Sequence, residues 1–399
     1  MNYKSKFQLL PLFFYLLFTF ALFTSCQRKP VDLDDFEYHV TEYVELDSLH
    51  SEDIIESYRY IQLETKDNTL LGEVKGLKVV DDKLFVLSQD VISVFDMEGL
   101  FLFNIAAIGR GPGEYSKITD WSIDNGIVYV YDDSQYRIEL FDSNSGKHLN
   151  SIKTPHPVSE LEIIDNKLFA DRITIPNDFI ENSDRLFTAD LSNLSRITSF
   201  YPSEREDVPN NWHQLFAYNQ QVYFLSPAFN KMYKVKKDHV TPYIYFDFGE
   251  KNITPEVLAD NKNVSKRYNG DYWFGVTSIY ENSTYIFGSM LNGSFETRYL
   301  LFNKNTRKNI IVKTDAVKNY PYRHVTAPDA VYKEEFYKIH PVWVLRFMKS
   351  NTESKYHLLT DEQKSDHGFK KLYTSSIEID DNPWVAVYKL KDDLSFLIK

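Results

Sequence analysis

From residue 70 onward, short apolar runs alternate with turns built from Asp, Asn, Gln and Gly, a punctuation that fits strands better than helices. Asp81-Asp82 opens Lys83-Leu84-Phe85-Val86-Leu87, and Asp124-Asn125-Gly126 opens Ile127-Val128-Tyr129-Val130-Tyr131. The pattern returns at Asp165-Asn166-Lys167-Leu168-Phe169, at Gln220-Gln221-Val222-Tyr223-Phe224 and at Asn282-Ser283-Thr284-Tyr285-Ile286. Phe85, Tyr129, Phe169, Tyr223 and Ile286 are spaced 44, 40, 54 and 63 residues apart. The first two spacings match one propeller blade of four strands, about 40–45 residues. A second hairpin follows several copies: Val91 to Asp96 turns through Gly99 into Leu100 to Phe103, and Arg137 to Asp142 turns through Gly146 into Lys147 to Ile152. Radial repetition of such sheets leaves only short protected edges. The pattern predicts an all-β, six-bladed β-propeller of four-stranded antiparallel blades.

Two interruptions break the rhythm. Thr254-Pro255-Glu256 places an N-cap residue, a proline and an acid in the order that starts a helix, so a short helical insertion is expected near 254–268. A second helix is expected from Asp361 to Tyr373. Five copies of the unit are legible. A sixth blade must be assembled from Val317 to Met348, the strand Trp384 to Tyr388, and Tyr58 to Leu63 near the other end. Strands from both ends in one blade would close the ring.

The N-terminal segment follows a different logic. Lys4 and Lys6 precede a run from Leu9 to Phe23 that is apolar apart from Pro11 and Thr19, and Thr24-Ser25-Cys26 follows. The run is shorter than the roughly 20 residues of a membrane span. A basic start, an apolar middle and small residues before the cut describe a secretory leader, and cysteine at the cut is the acceptor of a bacterial lipoprotein. Residues 1–25 are therefore read as a lipoprotein signal peptide, 26–55 as an acylated acidic tether with one strand over Tyr38 to Leu46, and 56–399 as the propeller. Cys26 is the chain's single cysteine, so the propeller is expected to rely on its core without an internal disulfide.

Composition supports these readings. Aromatic residues make up 16 % of the chain, with 28 Tyr and 29 Phe, a content that suits pleated sheets. The net charge is −12, and loss of Lys4 and Lys6 with the leader takes it to −14. Nucleic acid demands a basic stripe, so it is not an expected partner. An anionic membrane surface is equally poorly matched, which leaves acyl chains on Cys26 as the membrane attachment.

At Ile108-Gly109-Arg110-Gly111-Pro112-Gly113-Glu114-Tyr115 the chain resembles the six-bladed β-propeller lipoproteins of Bacteroidota, which are similar to NHL-repeat propellers. The order Phe95 to Ile105 followed by Gly109 to Tyr115 resembles that family's strand pair running into a "G.GPGEY" loop. Tyr60 to Thr65 resembles its entry strand, and Asn382 to Val385 with Tyr388 to Lys391 its exit strand. The likeness spans about 56 to 399 and departs from the family between 317 and 360, where its glycine- and proline-rich last blade is missing. It implies the fold and lipidation and carries no established activity; the expected location is the cell envelope, lipid-anchored at the outer membrane on its periplasmic or surface face.

Candidate chemistry is sparse. The Gly109–Tyr115 loop offers Arg110, Glu114 and Tyr115, but lacks the Gly-Lys-Ser/Thr of a phosphate loop and leads into a strand. A structural crossing between blades is the favoured reading. The ten histidines form no His-x-His or His-Glu-x-x-His pair, so no metal site and no cofactor has a local signature. A Gly-x-Ser-x-Gly elbow is also absent. Aromatic groups beside amides and acids, at Trp212-His213 and Tyr272-Trp273, suit sugar or peptide recognition, although packing between blades accounts for single aromatics more simply. The expected role is a binding or scaffold module for a glycan, a peptide or an envelope protein, more plausibly than an enzyme. The alternative is a metal-dependent propeller enzyme, a lyase or lactonase-like hydrolase with its ligands on the axis.

Overall fold

The computed structural model describes residues 33–399 apart from 42, 47, 68, 156, 172–183, 203–214, 227–229, 253–271, 293, 295, 315–316, 319–324, 395–396 and 398–399. The helical insertion expected near 254–268 lies outside the described residues, as do Trp212 and His213.

Before the first repeat come three short strands, β1 (Tyr38–Val40), β2 (Tyr43–Leu46) and β3 (Leu49–His50), one helical turn α1 (Ser51–Ile54), and a longer strand β4 (Ile55–Gln62). Blade one holds β5 (Val74–Val80), β6 (Lys83–Ser88), β7 (Val91–Asp96) and β8 (Phe101–Ile105). Blade two holds β9 (Asp120–Asp124), β10 (Ile127–Asp132), β11 (Arg137–Asp142) and β12 (His148–Lys153). Blade three holds β13 (Glu160–Ile164), β14 (Lys167–Asp171), β15 (Asp184–Asp190) and β16 (Asn193–Pro202). Blade four holds β17 (Leu215–Tyr218), β18 (Gln221–Ser226), β19 (Lys231–Val235) and β20 (Val240–Phe246). Blade five holds β21 (Trp273–Glu281), β22 (Tyr285–Asn292), β23 (Thr297–Asn303) and β24 (Asn309–Lys313). After β25 (Val317–Lys318), blade six is ordered β26 (Ala330–Tyr332), β27 (Glu335–His340), β28 (Trp384–Leu390) and then β4 from the other end of the chain.

The turns explain the repeat. In blades one to four, two residues join the first strand to the second: Asp81-Asp82, Asn125-Gly126, Asp165-Asn166 and Asn219-Gln220, all with φ between 48° and 77°. Two consecutive positive φ values define the tight hairpin whose twist matches the flanking strands, and Asp, Asn and Gly adopt them at least cost. Blade five instead uses an Asn282 turn, whose Oδ1 accepts from the N–H groups of Thr284 and Tyr285.

Blade six differs from the sequence reading in one respect. Strand material was expected through Met348, but β27 stops at His340 and Pro341 begins a helical insertion. It comprises α2 (Val342–Ser354), α3 (Asp361–Ser365) and α4 (His367–Thr374), which carry the chain from the second strand to the third. Leu345, Met348 and Thr352 recur at helical spacing and are the buried residues of α2. The helix expected over Asp361 to Tyr373 is present in two pieces, started by a Thr360–Gln363 capping box and restarted at Asp366, whose side chain accepts from Phe369 N–H.

The N-terminal segment is also more ordered than a tether with one strand. β1 lies parallel to β20, β2 parallel to β24 and β3 parallel to β25, so the segment runs as a belt over blades four and five before entering blade six as β4. Phe36, Val40 and Leu49 are buried along it. Glu37 and Glu45 between them are exposed, which hides the strands from a periodicity search.

Six apolar clusters fill the ring, one between each neighbouring pair of blades. The largest lies between blades five and six, where Tyr58, Tyr60, Trp384 and Tyr388 meet Leu345, Met348, Phe369 and Leu372 of the insertion.

Candidate functional site

The first strand of every blade faces the ring's axis, and together they enclose a channel of about 950 Å³. Its wall draws on β5, β9, β13, β17, β21 and β26, and one rim is formed by Pro341, Val342 and Trp343 with Asp381 and Pro383. Val342 and Trp343 open the first helix of blade six's insertion, and Asp381 and Pro383 follow its last.

Charges in the channel are organised in pairs. Lys78 Nζ lies 3.0 Å from Glu162 Oε1 and 5.4 Å from the centre of the Trp121 ring. Glu162 Oε2 accepts from Ser122 Oγ at 2.6 Å, so three consecutive blades are tied at one level. In blade six, Lys338 Nζ donates to Asp329 Oδ1 at 2.7 Å while Ile339 N–H donates to Oδ2. In blade five, Glu281 Oε1 accepts from Tyr243 Oη at 2.6 Å and from Lys304 Nζ at 2.8 Å. Glu281 is only 3 % exposed, and its Oε2 has no hydrogen-bond partner among the described residues. Tyr218 stands on the same wall, its hydroxyl pushed up to about 12 by burial and then by the charges of Glu334 and Glu281.

The Gly109–Tyr115 loop is built as a clamp. Glu114 turns back so that Oε2 accepts from Gly111 N–H at 2.8 Å. Tyr115 is fully buried and donates to the carbonyls of Asp90 and Ile105. Gly113 has φ +76°, and a Cβ there would lie 2.8 Å from His148 Nδ1, so glycine is needed both for the backbone and for the space. Arg137 Nη2 donates to the carbonyls of Gly111 and Glu114. The buried Asp132 carboxylate accepts from the backbone N–H and side-chain donors of Ser116, Ser134 and Gln135. Burial opposes ionisation of Asp132, but these donors outweigh it and hold the carboxyl well below the usual range. Arg110 alone of the loop's candidates points into solvent, and none of Arg110, Glu114 and Tyr115 lines the channel.

Beside this loop, Glu139, His148 and Ser151 have the composition of a catalytic triad. The geometry differs, because His148 Nε2 (2.9 Å) and Ser151 Oγ both converge on Glu139 Oε2. A relay needs the imidazole between hydroxyl and acid. Arg137 Nε lies 3.1 Å from Glu139 Oε1, which completes an ionic anchor for the strand pair. Among the described residues, no three His, Cys, Asp or Glu side chains gather as a metal-binding group.

Trp273 is buried against Phe248, with Arg298 and Lys251 over its ring at 5.0 and 5.6 Å, and Tyr272 beside it is half-buried. Neither lines the channel, so of the residues named from sequence, those among the described residues are not assembled at the axis. Sequence reasoning missed Lys78, Trp121, Glu162, Tyr218 and Glu281. The available signal was a charged or polar residue recurring within the first strand of each unit, as in Val74 to Val80 and Glu160 to Ile164.

These features define the class: a six-bladed β-propeller with a lined axial channel. More particularly, the chain belongs to the family described as "Domain of unknown function (DUF4934)", whose model matches residues 37–389. The chain is similar in structure to a protein described as "Putative exported protein (BF0058)" from Bacteroides fragilis NCTC 9343, at a TM-score of 0.69 and 17 % identity over 88 % of this chain and 99 % of that one. Fainter likenesses reach BamB from Moraxella catarrhalis (TM-score 0.36, 10 % identity, 64 % of this chain and 67 % of that one) and the extracellular domain of BT4673 from B. thetaiotaomicron (TM-score 0.36, 14 % identity, 65 % and 29 %). Comparison with curated proteins finds no match. Among the described residues, no helix is long and apolar enough to cross a membrane.

Proposed function

We propose that this chain is an extracytoplasmic binding module, a lipoprotein of the cell envelope held at the outer membrane by acyl chains on Cys26. Its channel receives part of a glycan, a peptide or an envelope protein. The channel itself carries the reading: about 950 Å³ walled by aromatic rings and a few fixed ionic groups on rigid inner strands. Ligand sites take this form, with apolar walls for affinity and sparse polar groups for orientation. The description of BF0058 as exported and the leader pattern before Cys26 support the location.

Glycan and peptide arrays probed with the purified chain test the binding reading. Hits are expected to disappear when Ser278→Trp fills the channel and to survive Arg110→Ala on the exposed loop. Hits indifferent to Ser278→Trp would place binding elsewhere. For the anchor, Cys26→Ala is expected to leave the leader uncut and to abolish labelling by radioactive palmitate; retained label would refute the attachment.

A further inference from the structure

Resting on that binding reading, we infer that the channel's helical rim is a docking site for a basic, extended peptide segment of a partner protein. Three observations converge on this chemistry. The first is apolar: Trp343 is 73 % and Phe347 67 % exposed on α2, one helical turn apart and therefore on one face. Trp343 itself belongs to the channel rim, so the stripe continues the channel outward along the helix. Two large aromatics so exposed in adjacent turns mark a contact surface better than they mark ordinary solvent-facing positions.

The second observation is charge. Six carboxylates and three lysines line the channel. Lys78 and Lys338 are already committed to Glu162 and Asp329. At the rim, Glu73 is exposed and Asp381 half-buried, its Oδ2 accepting from Glu378 N–H, and neither forms an ion pair with any other described residue. A cleft lined with excess charge of one sign focuses its field on counter-charged ligands, and the whole chain carries −12 in the same direction. An indole face beside carboxylates is also where a guanidinium or ammonium gains most.

The third observation lies deeper. Glu281 has Oε1 doubly satisfied and Oε2 buried on the channel wall with no partner among the described residues. A buried acceptor left empty is costly, and with this oxygen closed to solvent an N–H donor would reach it only where the wall side chains yield. A small amine would serve the carboxylates but leave the Trp343–Phe347 stripe uncovered. A peptide with basic and apolar side chains covers both.

The test uses the full chain in detergent and three probes: a synthetic peptide of about ten residues carrying arginine and leucine, the same peptide with glutamate for arginine, and a neutral glucose oligosaccharide. The basic peptide alone is expected to bind, with calorimetry as the readout. Trp343→Ala with Phe347→Ala, and separately Glu73→Gln with Asp381→Asn, should each weaken it by about tenfold, the equivalent of about 1.4 kcal/mol. Trp343, Phe347 and Glu73 are exposed, and Asp381→Asn keeps an oxygen for the Glu378 N–H, so the variants should stay folded. Raised salt should weaken the intact chain's binding but not that of the charge variant. Equal binding of the acidic peptide, indifference to both double variants, or silence of the basic peptide overturns the proposal. Oligosaccharide binding alone, lost on Ser278→Trp, overturns it while leaving the binding-module reading standing.

Discussion

Asp132→Ala is expected to lower the stability of the folded chain by about 3–4 kcal/mol, measured by chemical denaturation near neutral pH, because the backbone and side-chain donors of three residues lose one shared, buried, charged acceptor together. The carboxylate gathers N–H and O–H groups from Ser116, Ser134 and Gln135, and so fastens the Gly109–Tyr115 crossing to the turn between β10 and β11. Its pH signature separates it from a packing defect. The native carboxyl titrates well below its unfolded counterpart, which lies near about 4. Its contribution is therefore complete above that unfolded value and drains away as pH falls through it toward the native one. Stability of the native chain should drop steeply below about pH 4, and Asp132→Asn should flatten that limb. An unchanged acid limb would show that the cluster adds little.

The second large effect concerns ring closure. A chain begun at Leu49 lacks β1 and β2 and is expected to unfold cooperatively at a lower denaturant midpoint. A chain begun at Leu63 is expected to show no cooperative transition at all. The difference is β3, α1 and β4, of which β4 pairs with Trp384 to Leu390 and buries Tyr58, Tyr60 and Ile61. Losing a large buried side chain costs about 3–5 kcal/mol. Removing three of them, with the strand's hydrogen bonds, approaches or exceeds the roughly 5–15 kcal/mol that holds a typical fold. Comparable midpoints for the two truncations would sink this account of closure.

Much of the ring was legible in the sequence, for a local reason. Asp81-Asp82, Asp165-Asn166 and Asn219-Gln220 sit where two successive left-handed residues are required, and few side chains accept that conformation. Such positions announce themselves without any tertiary information. The closing blade was legible in outline because Tyr58 to Gln62 and Trp384 to Tyr388 both read as strands with no local partner. Val342 to Leu345 was misread because a short apolar run fits a strand and a helix equally well. Only Pro341 and the spacing to Met348 and Thr352 separate the two. The channel was illegible for a different reason. Lys78 meets Glu162 across 84 positions of sequence, and Tyr243 meets Glu281 across 38. Contacts of that separation are made by the ring's curvature, which no window of residues contains. The Gly109–Tyr115 loop drew the eye because glycine and proline are conspicuous, yet Glu114 is spent on a hydrogen bond within the loop and Tyr115 on the carbonyls of Asp90 and Ile105.

The pairing of β4 with β28 also governs when the molecule can fold. Trp384 faces Gln62 and Tyr388 faces Tyr58, so the chain's first long strand waits for nearly its last. Blades one to five can form from neighbouring hairpins as they emerge, but the sixth has no complete sheet until residues beyond 380 are present. During synthesis, Tyr58, Tyr60 and Ile61 therefore spend that whole interval without the strand that covers them. Long-range pairing of this kind is slow and leaves apolar edges open to the wrong partner. The rate at which this propeller matures should thus be set by a single late event, the arrival of one seven-residue strand.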